Sequence, residues 1–101
     1  MNQSGRTAGN QRWSPRMPYG LQLVVVHERA AWRTQLRDVS EGGCGAARPD
    51  DCDLEVGLLV RLFFIDAPGR AIGIDARVAR DDLRTLGFEY HEPQSVPPAP
   101  P

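Results

Sequence analysis

The sequence predicts an all-β domain, an antiparallel barrel or sandwich. Two observations point there. Apolar residues recur at every second position in four separate stretches, which is the period of a strand with one buried face. Clusters of Gly, Pro, Asp and Ser lie between those stretches, and short strands joined by such turns build antiparallel barrels and sandwiches. A chain of 101 residues makes one domain with a small core.

Residues 1–11 carry no aliphatic pattern and read as a flexible N-terminal arm. Pro15 and Pro18 exclude a helix from the stretch Arg12–Pro18. Leu21, Leu23 and Val25 alternate with Gln22, Val24 and Val26, giving a first strand. Glu28 to Arg37 leaves two readings open. Val25, Trp32, Leu36 and Val39 fall near helical spacing, while a turn near Arg29–Ala31 would make the stretch part of a strand pair. Asp38–Gly43 reads as a turn, followed by a short segment Cys44–Ala47 and a polar loop Arg48–Asp53.

The clearest alternation is Leu54, Val56, Leu58, Val60, Leu62 and Phe64, predicted as one strand. Its other face carries Glu55, Gly57, Leu59, Arg61 and Phe63. Asp66–Arg70 reads as a hairpin loop. Ile72, Ile74, Ala76 and Val78 line the next strand, and Leu86, Phe88 and Tyr90 the last. Five prolines in residues 93–101 predict a disordered or polyproline-like tail.

Composition narrows the function. Net charge is −1, so nothing draws the whole chain to nucleic acid or an anionic membrane. The charge is uneven: residues 1–37 hold six Arg against one acid, and residues 38–101 six Arg against twelve acids. There is no Lys; Arg grips phosphate and guanine edges bidentately where Lys is a point charge. Cys44 and Cys52 are too few for a zinc site, and His27 and His91 lack ligand spacing. No apolar run reaches the ~18 residues of a membrane span, and no signal-peptide core precedes the first strand. The chain is therefore read as cytoplasmic, with free thiols and without membrane insertion. Neither histidine sits in a catalytic motif with Ser40, so no enzyme is expected.

The stretch Asp38-Val39-Ser40-Glu41-Gly42-Gly43 concentrates the remaining chemistry. A carboxylate accepts paired N–H donors, a hydroxyl serves a phosphate oxygen, and a glycine permits positive φ and close approach of a ligand. The pattern Asp/Asn-x-Ser-x-x-Gly has about 0.04 chance matches in a chain of this composition, whereas Arg-x-x-x-Arg has roughly 1.4. Four of the latter occur, and only Arg12/Arg16 precedes the first strand. Asp38 and Ser40 also have a plain structural use, as turn caps.

In that order, Arg12-x-x-x-Arg16, a first hairpin and Asp38-x-Ser40-x-x-Gly43, the chain resembles a PilZ domain. Ala76-Arg77-Val78-Ala79-Arg80 and Leu86-Gly87-Phe88-Glu89-Tyr90 also fit, so the resemblance spans residues 12–92. It implies a six-stranded antiparallel β-barrel of split-barrel type and resolves Glu28–Arg37 towards strand. It also implies binding of the bacterial second messenger cyclic di-GMP. Arg12 and Arg16 would then clamp guanine and phosphate, Asp38 would take the guanine donor edge, Ser40 would bond phosphate or base, and Gly43 would hold the turn. Arg80 falls where some members place a side chain that stacks on the ligand.

Two departures carry consequences. Gln11 stands where many members have Arg, which favours one bound nucleotide over a stacked pair. The Pro-rich tail follows Tyr90 closely, so the helix that many members add there is expected short or absent. A second member type keeps the barrel as a nucleotide-independent adaptor, as in type IV pilus assembly. Either implies a downstream protein partner, and motility, exopolysaccharide synthesis in biofilms and virulence control all stay open as outputs.

Overall fold

The structure, a computed structural model, describes residues 22–66 and 69–99. Six strands make up its regular structure: β1 (Gln22–His27), β2 (Ala30–Val39), β3 (Gly43–Ala47), β4 (Leu59–Ile65), β5 (Ala71–Asp81) and β6 (Thr85–Tyr90). They close in the order β1-β2-β3-β6-β5-β4, and every neighbouring pair is antiparallel. Closure leaves no edge strand among the described residues. Among the described residues no helix follows β6, and none is long and apolar enough to cross a membrane.

Alternation sorts the side chains. Leu23 and Val25 of β1, Val60, Leu62 and Phe64 of β4, Ile74, Ala76 and Val78 of β5, and Leu86, Phe88 and Tyr90 of β6 all point into one core. Phe64 and Tyr90 meet edge to face, with ring centroids 6.2 Å apart. Burying each large apolar side chain contributes about 1.5–3 kcal/mol.

From Ala30 onward the stretch Glu28–Arg37 is strand. Glu28 and Arg29 form a two-residue loop between paired His27 and Ala30, with Glu28 at φ 56°. β2 then runs between β1 and β3, and Trp32, Thr34 and Leu36 turn inward at period two. Ladder pairing on both sides outweighs the local helix preference of these residues.

The alternation beginning at Leu54 is a strand only from Leu59. Gly57 adopts φ 100°, and its N–H donates to the Val78 carbonyl from a turn closed by Leu58 N–H to Glu55 O. Leu54 still reaches the core, but Val56 is 58% exposed. A glycine in the left-handed region bends the chain before the ladder can start.

The tail expected to be free lies against the barrel as far as it is described. Gln94 N–H donates to Glu41 O at 2.8 Å, Val96 packs on the core and Pro98 is buried. Prolines lack the donor a ladder needs, so the backbone hydrogen bond of this segment comes from Gln94, while Val96 and Pro98 attach by burial.

Candidate functional site

Two β-bulges create the site. On β2, Leu36 pairs with Ala46 and Asp38 with Gly45, so Arg37 is an extra residue. On β5, Val78 pairs with Phe88 and Arg80 with Gly87, so Ala79 is extra. Strict alternation would turn Asp38 inward like Leu36, and Arg80 inward like Val78. Each bulge reverses that parity and puts the charged side chain on the outer surface.

The registers line these residues up. Asp38 pairs with Gly45, Gly45 with Gly87 and Gly87 with Arg80, one row across β2, β3, β6 and β5. Strands lie about 4.8 Å apart, so the row spans roughly 14 Å. Both middle positions are bare backbone. A Cβ on Gly45 would sit 3.0 Å from Asp38 Oδ1, and one on Gly87 would sit 3.1 Å from Cβ, Nε and Nη2 of Arg80. The carboxylate leans over one glycine and the guanidinium over the other. Neither has an ion-pair partner among the described residues.

A shallow depression of about 240 Å³ lies here, lined by Asp38, Ser40, Gly43, Ala79, Arg80 and Gly87 among others. Ser40 sits at its rim. Its N–H donates to the Gly43 carbonyl at 2.8 Å and its Oγ to the same oxygen at 3.2 Å. The hydroxyl thereby closes the turn from β2 to β3. The C-terminal segment braces that turn: Tyr90 N–H donates to Gly42 O, and Gln94 N–H to Glu41 O.

Gly43 is required for a reason other than the one the motif suggests. Its φ is not positive; the described glycines with positive φ are Gly57 and Gly69. A Cβ on Gly43 would lie 2.1 Å from the Phe88 carbonyl oxygen. The glycine permits β3 to approach β6, and the space it leaves is filled by backbone.

Beneath the row, the Cys44 thiol is buried and free. Burial pushes its pKa up to about 12, Asp38 adds to the rise, and Tyr90 opposes it. Burial likewise pushes the Tyr90 phenol up, with Cys44 and Asp38 contributing. Tyr90 Oη is buried without a partner of hydrogen-bond geometry among the described residues.

Of the residues singled out by sequence, Asp38, Ser40 and Gly43 come together on this rim. Arg12 and Arg16, and Trp13 between them, lie outside the described residues. Arg80 joins Asp38 across the two glycines. Gly45 and Gly87 were not singled out as site residues, although Gly87 lies in a segment that fits the resemblance and a glycine inside a strand signals close approach of a ligand or side chain.

The family model for the PilZ domain matches residues 10–97. Among solved structures the chain is similar to the Bacillus subtilis inhibitor of motility, MotI/DgrA, with a TM-score of 0.64 and 21% identity. That likeness is one of fold, and it covers 87% of this chain and 46% of that one, so this chain spans about half the length of its structural neighbour. No curated protein matches. A match running from before Arg12 to beyond the last strand, on a closed six-stranded barrel, settles the family: the chain belongs to the PilZ domain family.

Proposed function

We propose that this chain is a receptor domain for cyclic di-GMP. The observation that carries the reading is the row Asp38–Gly45–Gly87–Arg80, a carboxylate and a guanidinium without ion-pair partners among the described residues, set at the two ends of a stretch of bare backbone. Guanine offers N–H donors on one edge and the O6/N7 acceptor pair on another. Asp38 matches the first. Arg80 matches the second, or stacks on the base, or meets a phosphate.

The depression of about 240 Å³ is smaller than the ~300–1,000 Å³ of a complete ligand pocket. It accommodates part of a dinucleotide. Arg12 and Arg16 are assigned the rest, clamping guanine and phosphate from the segment before β1. Ligand would draw that segment onto the barrel, and the new surface is what a partner protein reads.

The chain acts by binding and not by catalysis in this reading. Ser40 Oγ is committed to a backbone carbonyl, and burial holds the Cys44 thiol protonated, so neither is an activated nucleophile.

A second reading has its own support. Ser40 closes its turn and Gly43 admits the Phe88 carbonyl, so both motif residues serve the fold without any ligand. A nucleotide-independent adaptor would keep them too. Isothermal titration of the full chain with cyclic di-GMP separates the two, with GTP and cyclic di-AMP as controls. Saturable, selective binding that Asp38→Ala removes supports the receptor. No heat of binding at high micromolar ligand from a folded sample leaves the adaptor.

A further inference from the structure

The nucleotide row uses one side of the barrel. The outer surface of β2, β1 and β4 carries a different chemistry. Arg29 in the loop before β2 and Arg33 and Arg37 on β2 are exposed, and the two on the strand stand roughly 13 Å apart along the extended chain. None of the ion pairs among the described residues uses them. By contrast Arg48, Arg61, Arg70 and Arg77 each hold a carboxylate.

Beside this basic ridge runs an apolar strip. Val24 pairs with Arg33 on one side and with Phe63 on the other; Val26 pairs with Ala31 and with Arg61. Val24, Val26 and Phe63 are outward-facing and half-buried, with the Arg61 guanidinium lying over one face of the Phe63 ring. β1 and β4 thus carry apolar residues on the outer face as well, beside Gln22 and Arg61, although the interior needs only one apolar face. The row Arg33–Val24–Phe63 continues to Gly73 without a carboxylate, whereas the row Ala31–Val26–Arg61 ends on Asp75, whose charge Arg61 holds.

We infer that this face docks an acidic segment of a partner protein, with Asp or Glu residues set against the three arginines and apolar side chains between them packing on Val24, Val26 and Phe63. Charge complementarity selects the occupant. A cationic ridge repels basic partners and steers acidic ones. The low-lying valines and the phenylalanine suit side chains that pack onto them, and do not protrude as residues that enter a bilayer do. This surface goes beyond the nucleotide reading and does not depend on it.

The test is selection of phage-displayed random 16-residue peptides on the full chain without nucleotide, counter-selected on the variant Arg29→Glu/Arg33→Glu/Arg37→Glu. Thermal melting verifies that the variant folds. The expected result is a consensus of at least three acids interspersed with Leu, Phe or Val. Synthetic peptides of that consensus should bind at least tenfold more weakly to the variant, and more weakly to wild type as salt rises from 50 to 300 mM. Val24→Lys should weaken them too, which a purely electrostatic contact would not predict in direction alone and Val24→Thr should largely spare.

Several results would overturn the inference. One is no enrichment, or peptides that bind the triple variant equally. Enrichment of sequences resembling Trp13–Leu21 would assign the face to the chain's own N-terminal segment. Arginine-dependent binding to phosphatidylglycerol vesicles with no peptide enriched would assign it to a membrane surface. Because no nucleotide is present, failure here leaves the titration with cyclic di-GMP unaffected, and the reverse.

Discussion

Two arginines lie over glycines on the outside of this barrel, and they end in opposite states. Arg61 covers Gly73: a Cβ there would meet Arg61 Nη2 and Phe63 Cε1 at 3.0 Å. Arg61 also lies 5.7 Å from the centre of the Phe63 ring and bonds Asp75 at 2.6 Å. Its charge, its flat face and its glycine are all used within the fold. Arg80 covers Gly87 in the same way, but the carboxylate across from it, Asp38, stands two glycines away and does not reach it. The local device is shared. Whether the paired carboxylate reaches the guanidinium decides whether the device forms a closed surface patch or leaves a donor group and an acceptor group open on the same row.

Gly43→Ala tests the backbone that holds the open site, and its effect should be the largest. The added Cβ meets the Phe88 carbonyl at 2.1 Å, and that oxygen is backbone that cannot step aside. A loss of about 3 kcal/mol or more is expected in urea unfolding. Gly42→Ala, with no atom within 4 Å of its Cβ, should unfold like wild type.

Asp38→Ala and Arg80→Ala test the open row directly. Each should weaken cyclic di-GMP by about 2 kcal/mol, roughly 30-fold, for loss of a charge-assisted contact, with the melting temperature little changed. Equal affinity in either variant removes that residue from the site.

The groups beneath the row give a pH signature. Cys44 has a native pKa of about 12 against an unfolded value near 9.0. The native state therefore keeps its proton where the unfolded state loses it. This stability is complete below about pH 9 and is lost as pH rises from there towards 12, by about 1 kcal/mol at pH 10. Tyr90 shifts in the same direction and adds to the loss at higher pH. Cys44→Ala should flatten the profile between pH 8 and 10 in denaturant titrations. An unchanged slope would place the alkaline sensitivity elsewhere.

The smallest effect belongs to the closed patch. Arg61 and Asp75 are both about half exposed, at 50% and 59%, so solvent screens their attraction. Arg61→Ala should cost less than about 1 kcal/mol and leave nucleotide affinity unaltered. A marked loss of affinity would mean that the ligand lies over β4 and not over β3 and β6.

Much of the fold was legible because a strand has a period of two and a barrel has one interior. Leu23, Val25, Leu62, Phe64, Ile74, Ala76, Leu86 and Phe88 are buried where alternation placed them. The stretch Asp38–Gly43 announced itself through its residue types. Glu28–Arg37 did not, since its ladder partners lie in β1 and β3 and local propensity cannot register them. Leu54–Leu58 misled because alternation continues through Gly57, where positive φ ends the strand.

The sequence by itself determined the class of fold, the inner face of most strands and the three residues of one turn, because each rests on local periodicity or local chemistry. Only the tertiary structure decided that Asp38 and Arg80 face outward and share a row. That outcome depends on two bulges and three strand registers joining residues 42 positions apart. A bulge is visible only against the partner strand it fails to match, so no reading of one strand at a time could supply it.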